Sequence, residues 1–389
     1  MNGVRTRERT GHAIVVLNLP VPDDRRVWAQ AVALRDVGTP VHVLCPAMHG
    51  HRPGHATVDG IHVRYLRTFE GRGLPGVAAE GLWNTVLCLT ALPALLRLRL
   101  ASLQVCNPPD TLFPMLVLAR LAGLRTIYDQ HDVAPAMASA RPRFGALRGL
   151  FELFERLTVR AAHAVLTTSE EQARRLGDRY GIDATIVRSS THGAGPAAAA
   201  ARRSGAQVRL GYLGVVGEQE GLEDLLDAVA KVRADGRDEV TVAIAGDGPY
   251  LPAVRRHAER LGLGAAVTFE GWLQGSALEE FLAGLDAMVV SDPGSEYNHH
   301  CAMNKVMEAM ARGLPLIMRP LRENLNLAGD HPWVARGWAI DDLAQAIVAF
   351  ADADADLRRA EGVALRERYE SDLAWPDHAR RYLAAVVPG

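Results

Sequence analysis

Only two of the 43 basic residues in this chain are lysines, Lys231 and Lys305, and Lys305 opens the run Asn304-Lys305-Val306-Met307-Glu308-Ala309-Met310-Ala311. A compact ammonium and a planar guanidinium are not interchangeable where a phosphate sits in a tight pocket. A lone lysine in an arginine-using chain therefore points to a ligand contact. On a helix Lys305 and Glu308 share a face, whereas Val306, Met307 and Met310 can face a core. The unpaired amides and positive dipole end at such a helix start add donors for a phosphate. The alternative is an exposed ion pair on an ordinary helix.

Other stretches carry weaker chemistry. Gly214-Val215-Val216-Gly217-Glu218-Gln219-Glu220-Gly221 lies between an apolar run and a helical pattern, and its glycines would let backbone amides approach a diphosphate. It is not the GxGxxG dinucleotide fingerprint, and an ordinary strand-to-helix turn explains it too. Gly246-Asp247-Gly248-Pro249 is first of all a turn, with Pro placed to start a helix. In the first half, Asn107-Pro108-Pro109-Asp110 and Asp129-Gln130-His131-Asp132 each end an apolar run. Polar groups at the carboxyl ends of parallel strands are candidates for chemistry, although a histidine flanked by aspartates can also be a satisfied structural group. Pro20 to Arg26 reads as a cap and first turn for a helix starting near Val27, with Arg25 or Arg26 as a candidate anion contact. Glu296, His299, His300 and Cys301 are near one another in sequence, but adjacent histidines on a loop seldom converge on one ion. No metal is expected.

These residues need a scaffold. Short runs rich in Val and Ile at His12–Leu19, Val41–Pro46, Ile61–Leu66, Leu103–Asn107, Arg125–Gln130, Ala164–Ser169 and Thr185–Ser190 alternate with helical patterns. A second series follows at Val208–Gly214, Val240–Gly246, Ala266–Gly271, Ala287–Ser291 and Leu314–Pro320. Continuous apolar strands of this kind belong in parallel sheets covered on both faces. The expected fold is α/β, with two doubly wound Rossmann-like domains whose parallel sheets face an interdomain cleft. The expected boundaries are 1–190, an aperiodic Gly/Pro/Ala linker at 191–206, 207–374, and a last helix at 375–389 that is a candidate for crossing back to the first domain. Ligands bind open α/β sheets at the strands' carboxyl ends. This puts Gly214, Gly217, Gly271, Met303, Asn304, Lys305 and Glu308 on the second domain's side of the cleft, and Asn107, Asp110, His131, Asp132 and Arg26 on the first domain's side.

Composition narrows the partners. At 389 residues and 48% hydrophobic content there is material for two cores. A net charge of −2 gives no global basic field, so nucleic acid is not an expected partner. The four cysteines, Cys45, Cys88, Cys106 and Cys301, lack CxxC spacing and fit a reducing compartment. Without an apolar leader after Met1, a cytoplasmic location is expected. Val86–Leu98, interrupted by Pro93 and Arg97, reads as too short to span a bilayer. Ala140–Phe151 mixes Arg with apolar residues as interfacial helices do, but ordinary amphipathic packing is the favoured reading, so peripheral membrane contact is not favoured.

Taken in order, Pro22-Asp23-Asp24-Arg25-Arg26-Val27, Asn107-Pro108-Pro109-Asp110-Thr111-Leu112, Asp129-Gln130-His131-Asp132, Gly246-Asp247-Gly248-Pro249, Val267-Thr268-Phe269-Glu270-Gly271 and Met303-Asn304-Lys305-Val306-Met307-Glu308 resemble the retaining, nucleotide-sugar-dependent glycosyltransferases of family 4. The resemblance covers most of the chain and implies the two-domain GT-B fold. It further implies that Lys305 meets the donor diphosphate, that Glu308 meets the ribose hydroxyls, and that His131 lies near the transferred sugar. No cofactor is implied beyond the nucleoside diphosphate sugar as co-substrate, and the leaving phosphate is implied as the acceptor's base. The acceptor would be a small molecule or a lipid-linked group, such as a secondary metabolite or a cell-envelope glycan precursor. The chain departs from the family pattern at three places. His300 stands where many members have a Glu eight residues before the ribose-binding one, and Val215 and Glu220 replace an Arg and a Lys. A nucleotide-sugar 2-epimerase on the same fold and a noncatalytic sugar-nucleotide-binding partner are the alternative readings.

Overall fold

The structure is a computed structural model. It describes residues 9–387 apart from 49, 70, 72, 141–144, 190 and 192–206. The expected linker thus lies outside the described residues except for Thr191, as does the Arg141–Phe144 part of the segment considered for interfacial contact. Two compact units emerge, one of Met1–Ser190 with Trp375–Gly389 and one of Thr191–Ala374.

In the first unit, strands β1 (Gly11–Val15), β2 (Val41–Pro46), β3 (Gly54–Val58), β4 (Ile61–Leu66), β5 (Leu100–Cys106), β6 (Arg125–Gln130), β7 (Ala164–Thr167) and β8 (Thr185–Ile186) form one sheet in the order β3-β4-β2-β1-β5-β6-β7-β8. All neighbours are parallel except β3, which hairpins antiparallel onto β4 at the edge. This strand was not expected from the sequence, because Gly54-His55-Ala56-Thr57-Val58 is mostly exposed and carries little apolar signal. The helices are α1 (Arg25–Asp36), α2 (Gly73–Leu96), α3 (Phe113–Leu121), α4 (Ala134–Ala140), α5 (Arg148–Ala161) and α6 (Glu170–Tyr180). Successive residues of β1 serve opposite faces of the sheet. Ala13 and Val15 pack with Cys88, Leu92 and Met115 of α2 and α3, and Ile14 and Val16 pack with Val27, Ala31 and Leu34 of α1.

The second unit holds β9 (Val208–Leu213), β10 (Val240–Ala245), β11 (Val267–Gly271), β12 (Ala287–Val290) and β13 (Leu316–Met318) in the all-parallel order β11-β10-β9-β12-β13. Around it run α7 (Leu222–Ala234), α8 (Leu251–Arg260), α9 (Gly275–Ala283), α10 (Glu296–His300), α11 (Asn304–Ala311), α12 (Arg322–Ala328), α13 (Ile340–Asp352) and α14 (Ala355–Arg368). One face of this sheet buries Leu210, Ile244 and Val289 against α7 and α13, and the other buries Met288, Val290 and Met318 against α11. The last helix, α15 (Trp375–Val386), belongs to the first unit. There Tyr382 donates to Gln104 Oε1 at 2.9 Å and Arg125 donates to the Ala385 carbonyl at 2.9 Å.

The length argument against a membrane span needs correcting. The apolar segment is not the short piece Val86–Leu98. It belongs to α2, which runs through Pro93 and contains Ala78–Leu96, long and apolar enough to cross a membrane by length and composition alone.

Candidate functional site

Strand order reverses between β1 and β5 in the first sheet and between β9 and β12 in the second. At such a switch point the two loops leaving the strand ends part in opposite directions and open a crevice. Each unit carries a buried ion cluster at this point.

In the second unit, the loop after β9 leads to Glu220 and then to Gly221, whose φ of +65° is a conformation that side chains rarely adopt. A Cβ on Gly221 would also lie 2.4 Å from the Ser291 carbonyl, so only glycine lets this loop press on the end of β12. Ser291 Oγ donates to the Glu220 carbonyl at 3.0 Å, which fixes Glu220 beside Asp292. Lys305, in the first turn of α11, closes the cluster. Its Nζ donates to Glu220 Oε2 at 2.6 Å and to the two Asp292 oxygens at 3.0 and 2.9 Å, and it stands 4.6 Å from the centre of the Tyr212 ring. Tyr212 in turn donates its hydroxyl to Glu220 Oε2 at 3.0 Å.

The charges do not balance, since one ammonium faces two carboxylates. Burial alone would lower the lysine's pKa, but Asp292, Tyr212 and Glu220 outweigh it and raise it. Burial pushes the Asp292 carboxyl up to about 7; Lys305 opposes that rise and Glu220 adds to it. Glu220 is also raised by burial, yet Lys305 prevails and holds it below its ordinary value. The pair therefore shares a proton near neutrality, with Asp292 taking it first.

In the first unit Asp129, the last but one residue of β6, is fully buried and accepts from Gln30 at 2.8 Å, Gln104 at 3.2 Å and Arg26 Nε at 3.3 Å. A second guanidinium nitrogen pairs with its other oxygen, and the third reaches the Val187 carbonyl. Burial would raise this carboxyl, but Arg26 and then His131 outweigh it and hold it well below the usual carboxylate range. His131 Nε2 lies 3.2 Å from Asp129 Oδ2, with the side chain 12% exposed. Asn107 clamps the turn, its Oδ1 accepting from the backbone N–H of His131 at 2.6 Å and of Asp132 at 3.2 Å. Asp110 is buried next to them and accepts from the Tyr128 hydroxyl at 2.6 Å; burial raises its carboxyl to about 7, against the hydrogen bond from Tyr128. Cys106, Asp129 and His131 bring ligand atoms within 4.8 Å of one another, a spacing open to a metal ion. A cation there would compete with the guanidinium already bonded to Asp129.

Two family models match the chain, "Glycosyl transferase 4-like domain" over residues 24–189 and "Glycosyl transferases group 1" over residues 207–353. The chain is a GT-B glycosyltransferase of the family-4-like type. Similar solved structures include a sucrose-phosphate synthase from Thermosynechococcus elongatus (16% identity, TM-score 0.76, covering 96% of this chain and 97% of that one). WaaG, a glycosyltransferase involved in lipopolysaccharide biosynthesis, is 16% identical with a TM-score of 0.73, covering 97% and 100%. Anabaena Alr3699/HepE in complex with UDP and glucose is 14% identical with a TM-score of 0.69, covering 96% and 98%. No curated protein matches the chain by sequence.

Several residues of this glycosyltransferase sit differently from the sequence reading. The alternative of an exposed ion pair on the helix bearing Lys305 does not hold, because Lys305 through Ala311 are all buried. Glu308 does not share Lys305's partners, because its carboxylate pairs with Arg312, which also binds Glu279. Met303 lies in the apolar core, while Asn304 is exposed. Arg26, a candidate anion contact, is 5% exposed and committed to Asp129 and the Val187 carbonyl. Gly214, Gly246 and Gly271 form a packing seam. Gly246 N–H donates to the Gly271 carbonyl at 2.7 Å, and a Cβ on Gly246 would lie 1.8 Å from the Gly214 carbonyl. Gly217 precedes the short turn Glu218–Glu220. His300 Nδ1 faces the Glu296 carbonyl at 2.6 Å, and His299 Nδ1 accepts from the Arg322 N–H at 3.2 Å, so the two rings serve separate contacts.

The sequence reading missed Asp292 and Arg319, and it named Asp129 in the strand-end cluster without a role of its own. Arg319 follows β13 and donates to Asp224 at 2.6 Å and to the Ser291 carbonyl at 3.1 Å; its Nε and Nη2 are buried without a partner among the described residues. A signal existed for each, a charged residue directly at the end of an apolar run.

Proposed function

We propose that the chain is a retaining, metal-independent glycosyltransferase that moves a sugar from a nucleoside diphosphate sugar to a small-molecule or lipid-linked acceptor. The observation that carries this reading is the lone lysine at the switch point of the second sheet, in contact with Glu220 and Asp292. As the bond to the sugar breaks, negative charge collects on the leaving diphosphate. A preorganised ammonium in a water-poor site stabilises that charge at no reorganisation cost. The phosphates would take the place of one or both carboxylates on Nζ, and the unpartnered nitrogens of Arg319 lie on the same strand-end edge. With Asp292 holding its proton, Lys305 balances Glu220 and can meet the leaving diphosphate itself, so the reading calls on no divalent ion there.

Retention follows from the family resemblance, and no side chain is assigned as the acceptor's base. His131, held by Asp129 and by Asn107, is proposed to touch the transferred sugar. Anabaena Alr3699/HepE, with its UDP and glucose, supports a nucleotide-sugar donor. The free cysteines, three of them buried, fit a reducing cytoplasm. The test is a thermal-shift and turnover screen of nucleotide sugars against a panel of acceptors, with and without EDTA. Anomer-retaining product with EDTA present is expected; inversion, or loss of turnover restored by a divalent ion, would overturn the corresponding part.

A further inference from the structure

Helix α2 is built unlike the other surface helices. Cys88, Ala91, Leu92 and Leu95 recur at helical spacing and fill the core of the first unit. On the outward face a soluble helix normally carries charge. Here Gly81–Leu96 contains no charged residue at all, and Leu82 and Trp83 are 68% and 55% exposed. Helix α3 packs beside α2 on the same core and continues the pattern, with Leu118 exposed and Leu121 80% exposed.

Beyond Glu80 of α2, which is half-buried and accepts from the Gly71 N–H at 3.0 Å, charge along α2, α3 and the strand between them is equally lopsided. Between Gly81 and Leu124 the one acidic residue is Asp110, which is buried, whereas Arg97, Arg99 and Arg120 are exposed. Among the described residues none of the three has a carboxylate partner. The chain as a whole carries −2, so this is local segregation and not general basicity. An apolar surface edged by unneutralised arginines is complementary to hydrocarbon beneath anionic headgroups. An apolar protein partner would leave the arginines unexplained.

We propose that the outward faces of α2 and α3 form a docking surface for a bilayer bearing anionic lipid. The helix lies on the membrane and does not cross it, because crossing would strip Cys88, Leu92 and Leu95 from the domain core. The inference does not depend on the donor-site reading above.

Co-sedimentation of the full chain with phosphatidylglycerol-containing vesicles, and with pure phosphatidylcholine vesicles, tests it. Binding to the anionic vesicles alone is expected. The double variant Leu82→Gln/Trp83→Gln should abolish it, and Arg97→Gln and Arg120→Gln should each weaken it about fivefold. Melting curves should move little, since all four side chains are exposed and give up at most a surface hydrogen bond, Trp83 to the Arg67 carbonyl and Arg120 to the Arg160 carbonyl. No sedimentation with anionic vesicles, or binding indifferent to these substitutions, would overturn the proposal. Equal binding to neutral vesicles would overturn the anionic assignment. Self-association by light scattering that the double variant removes and vesicles do not compete with would assign the face to a second copy instead.

Discussion

The two strand-end ion clusters each set one cation against carboxylates, one in the first unit and two in the second. In the first unit one guanidinium meets one carboxylate with two parallel bonds, and Gln30, Gln104 and His131 take up the remaining acceptor positions on Asp129. Charge balances and every strong acceptor is used. In the second unit a single ammonium meets two carboxylates, with Tyr212 as a further donor. A planar fork matched to one carboxylate is rigid and costly to break, whereas an ammonium is a point charge whose partners can be exchanged. The balanced cluster therefore reads as architecture that carries a reactive group at its edge. The second cluster reads as a site whose ammonium can exchange a carboxylate for another anion once Asp292 holds a proton.

The strongest test of this contrast is to remove the cation from each cluster. Arg26→Ala leaves Asp129 buried and unpaired, a loss of about 3–5 kcal/mol, which in a unit of this size lowers the melting temperature by roughly 6–20 °C. Calorimetric melts check it; an unchanged melt would show that Arg26 is not structural. Lys305→Ala should behave in the opposite sense. Its melt falls less, because Asp292 can keep its proton, but turnover drops by roughly thirty- to a thousandfold for about 2–4 kcal/mol of lost transition-state stabilisation. Near-wild-type kcat/KM in that variant would break the assignment of the donor site.

His131→Ala probes the edge of the balanced cluster. Loss of one polar contact to the sugar, about 1–3 kcal/mol, lowers kcat roughly five- to a hundredfold. Nucleoside diphosphate affinity and the melting temperature should hardly move, because the ring is the outermost member and Arg26, Gln30 and Gln104 still satisfy Asp129. If affinity falls as far as kcat, or the melt drops as in Arg26→Ala, His131 belongs to the architecture.

How far the sequence exposed these clusters depends on which physical signal each residue leaves. Buried parallel strands write continuous apolar runs, so the βα series of both units were legible, while the exposed edge strand Gly54–Val58 was not. Lys305 stood out through its rarity and His131 through its place at a strand end. Their partners were harder to read: Asp129 stood in the same strand-end cluster as His131 without a role, and Asp292 did not stand out at all, because each looks in sequence like any turn-forming aspartate and becomes informative only when a second strand end approaches. Glu220 was visible as a charge reversal against the resembling family, but that it binds Lys305 depends on the contact between Gly221 and Ser291, which no periodicity encodes. Arg26 was misread for the same reason, since its partner lies across the sheet on β6.

The smallest expected effect is the most discriminating, because it depends on the imbalance itself. With Asp292 raised to about 7, its proton is bound below that pH and the cluster is one ammonium with one carboxylate. Above pH 7 the proton leaves, the cluster gains a negative charge, and an incoming diphosphate is repelled. Affinity for a nucleotide sugar, whose phosphates carry no titrating proton in this range, should therefore fall by up to about tenfold per pH unit above 7. Binding near pH 7.5 should take up a proton, seen as a difference in calorimetric heat between buffers of different ionisation enthalpy. Glu220→Gln removes one of the two carboxylates and the interaction that helps to raise Asp292. That variant should bind more tightly above pH 7, by roughly three- to tenfold from the loss of one neighbouring like charge at an effective dielectric near 20 with solvent screening, and its fall in affinity should start at lower pH. Flat affinity from pH 6 to 8 without proton uptake would mean that the carboxylates stay on Lys305 when the donor binds. The second cluster would then be architecture like the first.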